Sequence, residues 1–182
     1  FNPASGTDLE NGNALKAAVA AQGTNTNISI QLDAGGYDLG SDSLTLNSRT
    51  SLIGAGRDIT FIGSTNASAA ITLSGTSVTL QDLLVRNTGL GSDTAIEGAA
   101  AVRVMNGANS ARLNQLNFRS DVIAATTGIR CALWIEDADF VQVDRSLMFA
   151  RGGASARGIC ATAPANSAFQ LLLSGIETQA TS

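Results

Sequence analysis

The sequence predicts an all-β fold, a parallel β-helix (β-solenoid) of about four to five turns, entered through one short N-terminal capping α-helix. Two observations predict the coil and a third agrees with it. Apolar residues alternate with polar ones over runs of four or five, which is strand period and not helix period. These runs recur at a nearly fixed interval with no crossover helix between copies. A strand cluster repeated in one chain direction can then pair with its successor only by stacking turn upon turn. Composition agrees: 44% of residues are hydrophobic but only 4% aromatic, with 19 glycines, so the interior is built from small aliphatic side chains and many corners.

The recurrence can be read column by column. Ile71 and Leu73 return as Val102 and Val104, then as Leu133 and Ile135, in steps of 31 and 31. Val78 and Leu80 return as Ala111 and Leu113, then as Val141 and Val143, in steps of 33 and 30. Leu83 and Val85 match Leu116 and Phe118, then Leu147 and Phe149, and the linker residue Ile96 matches Ile129 and Ile159. Stacked turns lie about 4.8 Å apart, so each column becomes a ladder of touching side chains. The stretch SVTLQDLLVRN carries two inward sets, and a corner near Gln81 and Asp82 resets the alternation between them.

The 182 residues fit one domain, 1–182. In chain order, NGNALKAAVAAQG puts Leu15, Ala18 and Val19 on one face of a helix over about residues 11–22, with Asn11 or Asn13 as N-cap and Gly23 as stop. Laid across the open end of the first turn, this helix is a cap. ISIQL, SLTL, TSLIGAG and ITFIG then supply strands of the first turns, and the solenoid runs from about residue 28 to 182. Phe169, Leu171 and Leu173 read as a further inward set with no cap after them. That pattern is expected of a fragment of a longer solenoid, or of an end covered by self-association.

Charge and composition narrow the function. A formal net charge of -4, from 11 basic and 15 acidic residues without a basic run, argues against nucleic acid or an anionic membrane as partner. No apolar stretch reaches the length of a membrane span. Histidine is absent, which removes the commonest general base and the commonest metal ligand. A single lysine, Lys16, and abundant Ser, Thr, Asn and Gly lean towards a secreted or cell-surface protein.

The segments NALKAAVAAQG, ISIQLDAGGYDL and SLTLNSRTSLIGAGRDITFIG resemble the opening of the pectate lyase superfamily domain, in which a capping helix precedes a strand, a Gly-Thr-Tyr-like turn, a second strand and a Gly-x-Gly corner. The later units resemble the repeats of pectin lyase-like parallel β-helices. The resemblance covers Asn11 to about Phe149 and implies a right-handed coil, consistent with the usual parallel connection. It does not carry chemistry across. The Gly-His-Gly of polygalacturonase-like members and the Arg-x-Pro-x-x-Arg setting of pectate lyases are missing. The paired aspartates and following arginine of pectin methylesterases do not map, although LIGAGRDITFI is similar locally.

Several residues are candidates for a site. Arg103 and Trp134 fall in the outward column of one strand, where an indole can stack on a sugar ring and a guanidinium can hold a hydroxyl or carboxylate; a covered Trp134 with Arg103 packed on its face is the alternative. Arg86, Arg119 and Arg151 form a second column, read either as a groove for an acidic polysaccharide or as an edge salt-bridged to Asp82, Asp121 or Asp144. The run EDAD, Glu136 to Asp139, with Asp144, offers oxygens to calcium without the spacing of a calcium loop, so no cofactor is expected. Cys131 and Cys160, 29 apart, are within reach of a disulfide if stacked, or form two buried thiols. GAGR, Gly54 to Arg57, is a strand corner and not a phosphate loop.

Three functions follow as expectations. One is a carbohydrate-binding or adhesin-like module, non-catalytic alone. Another is a polysaccharide lyase or glycoside hydrolase whose catalytic set is incomplete in this chain. The last is a structural segment of a fibre or tailspike.

Overall fold

Each winding of the chain lays one strand into each of three parallel sheets. The computed structural model describes residues 6–21, 27–90, 99–122, 128–152, 155–162 and 170–181, so Gly23, Ile96 and Phe169 lie outside the described residues. The first sheet stacks Ile28–Gln31, Thr50–Ile53, Thr79–Gln81, Arg112–Asn114, Val141–Asp144 and Leu171–Ser174. The second stacks Gly35–Asp38, Thr60–Ser64, Leu84–Asn87, Asn117–Asp121, Leu147–Arg151 and Glu177–Thr181. The third stacks Leu44–Leu46, Ala69–Leu73, Ala100–Val104, Ile129–Glu136 and Ser155–Thr162. Order around the coil is first, second, third, then first again, which makes a parallel β-helix; its hand is the right-handed one usual for parallel connections. No helix among the described residues is long and apolar enough to cross a membrane.

Inward side chains stack as the alternation requires. Leu52, Leu80, Leu113 and Val143 lie in register on the first sheet, and Leu44, Ile71, Val102 and Leu133 on the third. All are buried in one continuous core. Val78, Leu80, Leu83 and Val85 are buried together, and between the two pairs Asp82 takes a φ of 55°, the corner that restarts the alternation. The same left-handed conformation recurs at Gln115 (51°), Arg145 (46°) and Gly175 (59°), each at the same corner of a later winding. A second left-handed column, Arg49, Ser77, Ser110 and Phe140, leads into the first sheet.

Two repeat assignments are corrected by the register. Phe118 stacks on Met148, and Leu147 and Phe149 stand beside Asn117 and Arg119 on the outside. The equivalent step on this strand is therefore 30 residues and not 31, and a slip of one residue exchanges the faces of a strand. Ser146, not Leu147, takes the place inside the corner, where its hydroxyl accepts from the Leu116 amide at 3.2 Å. Ile129 pairs with Ser155, and Ile159 pairs with Leu133, so the repeated Gly-Ile dipeptides are not equivalent.

The helix also differs from expectation. It spans Asp8–Ala20, with Thr7 as N-cap and Ala21 as C-cap. The signal is the TDLE tetrapeptide, a capping box: Glu10 N–H donates to Thr7 Oγ1 (3.3 Å), and Thr7 N–H donates to Glu10 Oε2 (2.8 Å). Asn11 is buried and donates its amide to Gly36 O at 3.0 Å. Leu15 and Val19 close the core, while Ala18 is only half-buried. Contact with the first winding is close: a Cβ on Gly12 would stand 1.9 Å from Asp38 O, and Lys16 reaches the Asp42 carboxylate at 2.6 Å.

Thr7→Ala should destabilise the protein by about 1 kcal/mol, read from denaturant unfolding at neutral pH. The Thr7 backbone and side-chain hydrogen bonds lower the Glu10 pKa. That contribution is present above the unfolded-state pKa and fades as pH falls through the lowered folded-state value. Thr7→Ala keeps the backbone bond, the larger cause, so the gap to wild type should narrow in acid only by the share of the Thr7 hydroxyl; a gap that widens in acid would contradict the bond from that hydroxyl to Glu10.

Candidate functional site

On the outside of the third sheet, Thr72, Arg103, Trp134 and Cys160 lie one above another. Trp134 is not an open platform: it is 2% exposed and packs outside the sheet with Ala69, Ala100, Cys131 and Cys160. The Arg103 guanidinium carbon sits 4.3 Å from the centre of the indole. Arg103 is itself occupied, donating to Glu136 through Nε (3.1 Å) and Nη2 (2.9 Å) and to Ser68 Oγ through Nη1 (3.2 Å). A forked ion pair on a stacked ring fixes both side chains. The Arg103 and Trp134 surface is thereby corrected to a second, smaller packing layer.

A disulfide joins Cys131 and Cys160 at the edge of this layer, with Cα atoms 5.8 Å apart. Cys131 stands beside Arg157 and Cys160 beside Trp134, and the ladder is interrupted between these pairs at Ala132. Sequence reasoning missed Arg130, which is fully buried and donates to Leu90 O.

The second sheet presents the more open face. Its outward row runs Asp38, Gly63, Arg86, Arg119, Phe149, Gln179. Arg151 is displaced by two residues from the row expected for it, since the step on this strand is 30 and not 32, and it stands beside Asp121. Asp121, whose side chain is 9% exposed, accepts from Arg86 Nη2 at 2.7 Å and from Arg151 Nη2 at 2.6 Å. Arg119 makes no ion pair among the described residues. Its Nε donates to Asn117 Oδ1 at 3.3 Å, and its guanidinium lies 5.9 Å from the centre of the Phe149 ring, with Arg151 at 6.0 Å.

At the helix end of this row Asp8, Asp38, Phe61, Gly63, Arg86 and Thr88 line a groove of about 230 Å³. Gly63 leaves a notch between Asp38 and Arg86, and a Cβ there would come within 3.1 Å of the Phe61 ring. Asp38 is held by the Gly40 amide at 2.9 Å. Asp38 and Phe61 escaped sequence reasoning because their windings precede the clear repeats, and Asp8 because it lies in the cap helix. The acids of the EDAD run do not converge: Glu136 pairs with Arg103, Asp144 pairs with Arg145 at 2.9 Å, and no metal-holding cluster occurs among the described residues.

No protein-family profile matches the sequence, and no curated protein does. Solved structures do. A pectin methylesterase in complex with a hexasaccharide is similar over 91% of this chain and 61% of its own, at 16% identity and a TM-score of 0.61. Pectin methylesterase PemA from Erwinia chrysanthemi matches over 91% and 61% at 17% identity, with a TM-score of 0.60. The Yersinia enterocolitica pectin methylesterase matches over 89% and 64% at 18% identity, with a TM-score of 0.58. The chain spans about three fifths of the length of these structures. The likeness is one of fold, the pectin lyase-like right-handed β-helix.

Breaking the disulfide, by reduction or by Cys160→Ser, should lower unfolding free energy by about 2–4 kcal/mol. It should also move the emission of Trp134, the sole tryptophan, to longer wavelength as the outer layer loosens. Unchanged emission and unchanged stability would show that the bond holds nothing in place.

Proposed function

We propose that this pectin lyase-like β-helix binds an acidic polysaccharide along the outer face of its second sheet and is not catalytic by itself. The observation that supports this most is Arg119: a guanidinium beside an aromatic ring, with no carboxylate partner among the described residues, in a row with Arg86 and next to Arg151. A sugar ring places its C–H face on an aromatic plane, and a uronate carboxylate fits a guanidinium fork. Asp121 supports the same reading, since it holds Arg86 and Arg151 in fixed positions beside Arg119. A hexasaccharide is bound by one of the structurally similar proteins. The disulfide favours an oxidising setting, in keeping with a secreted or cell-surface protein.

A second reading, a hydrolase or lyase of uronate polymers, has one observation in its favour. Asp8 and Asp38 line one groove with Arg86 and Phe61, and paired carboxylates are the usual acid and base of glycoside cleavage. Reducing-end and unsaturated-product assays on an acidic polysaccharide separate this reading from binding alone, and turnover abolished by Asp38→Asn would replace the first reading.

Arg119→Ala should weaken binding of oligogalacturonate about five- to tenfold in calorimetric titration at low salt, and added salt should weaken it further. Affinity untouched by this substitution would remove the second sheet as the binding face.

A further inference from the structure

Between the first and second sheets the chain turns in two residues in four windings: Asp82 and Leu83, Gln115 and Leu116, Arg145 and Ser146, Gly175 and Ile176. In the second winding the same corner takes six residues, 54–59. The extra chain is firmly held. Gly54 N–H donates to Gln81 O (2.9 Å), Gly56 N–H to Asp82 O (3.0 Å), and Ile59 N–H to Gly56 O (3.1 Å). Ala55 N–H donates to Thr60 Oγ1 at 2.8 Å. Gly54 admits no side chain, since a Cβ there would lie 2.2 Å from Asp82 O. So fixed, the loop turns Arg57, Asp58 and Ile59 outward, with Ile59 58% exposed.

The loop leans along the coil axis. Asp58 Oδ1 accepts from Asn117 Nδ2, two windings on, at 3.3 Å. Between the loop and the tight corners beside it is a groove of about 450 Å³, lined by Arg57, Asp58, Ile59, Gln115 and Arg145. The Gln115 amide bridges its neighbours, Nε2 donating to Asp82 Oδ1 (2.9 Å) and Oε1 accepting from Arg145 Nη2 (3.2 Å). Arg57 is held only loosely, 3.7 Å from the Asp58 carboxylate.

We infer that this corner groove is a second sugar site, separate from the second-sheet face, which takes one carboxylate-bearing sugar unit. Arg57 and Arg145 receive the carboxylate, Asp58 and Gln115 the hydroxyls, and Ile59 the C–H face of the ring. The groove lies on a corner and not on a sheet face, so it would hold a neighbouring segment or a branch of the same glycan. The ligand class rests on the acidic-polysaccharide reading; the site itself rests on the enlarged corner.

The test is amide chemical-shift titration of the whole chain with digalacturonate and, separately, with the neutral galactose dimer. Saturable shifts are expected at residues 57–59, 115 and 145. They should persist in Arg119→Ala and weaken about fivefold or more in Arg57→Ala and in Ile59→Ser. All three residues are solvent-exposed or half-buried, so the variants should keep the wild-type melting temperature. Shifts confined to residues 86, 119 and 149 would overturn the corner site and leave the second-sheet reading standing. Corner shifts equal for the neutral dimer would overturn the carboxylate assignment, and no shift at either place would overturn both.

Discussion

Register between successive windings is the constraint on which the rest of the molecule depends. Parallel backbone ladders fix which residue stands over which, and the inward positions are filled by Leu, Ile and Val that touch their equivalents one winding away. Each such side chain contributes about 1.5–3 kcal/mol by leaving water. A one-residue slip would send a whole strand's set outward, so the ladders hold the register as firmly as the backbone hydrogen bonds do. Few polar residues enter this interior, and those that do work at corners: the amide of Asn87 bonds to Asn66 O and Ala100 O, and the Ser120 hydroxyl to Ala99 O.

Once the inward columns are committed to packing, surface chemistry is left to the outward columns and the corners. The three sheets use that freedom differently. Outside the third sheet, an aromatic ring, an arginine and a disulfide close into a small secondary core. Outside the second, charges of both signs stand along the axis with Phe61 and Phe149 among them, and a glycine opens a notch. At the junction of the first two, one enlarged corner interrupts a run of tight ones. The features that differ from winding to winding, and not the ladders they share, give the protein its individual surface.

Most of the fold was legible in the sequence, because a ladder writes the same alternation into every turn. SVTLQDLLVRN was enough to place a corner at Asp82, and the columns through Leu80 and Val102 follow the period directly. The reading goes astray where a look-alike pattern sits one residue out of register: Leu147 and Phe149 look like Leu116 and Phe118, yet the step between these strands is 30 residues and not 31, and that single residue reverses their faces. Local chemistry could have found the helix start, since TDLE is a capping box visible without any structure. The site was less legible. Alternation gave the outward direction of Trp134 correctly, but outward from a sheet is not the same as open to water, and what covers a side chain depends on contacts distant in the chain. Asp121 could be named only as one of several anions near the arginines; its place between Arg86 and Arg151, paired with both, is a matter of register.

The sulfur bridge has a mechanical consequence. In a coil whose strands pair only with those of adjacent windings, a pull on the two ends peels turns away singly, each giving up a similar length of chain. Because Cys131 and Cys160 lie on adjacent strands of the third sheet, the chain between them is locked as a loop and cannot be drawn out. Tension would bypass that loop, so the stretch of rod around it would yield less length and resist as a single block.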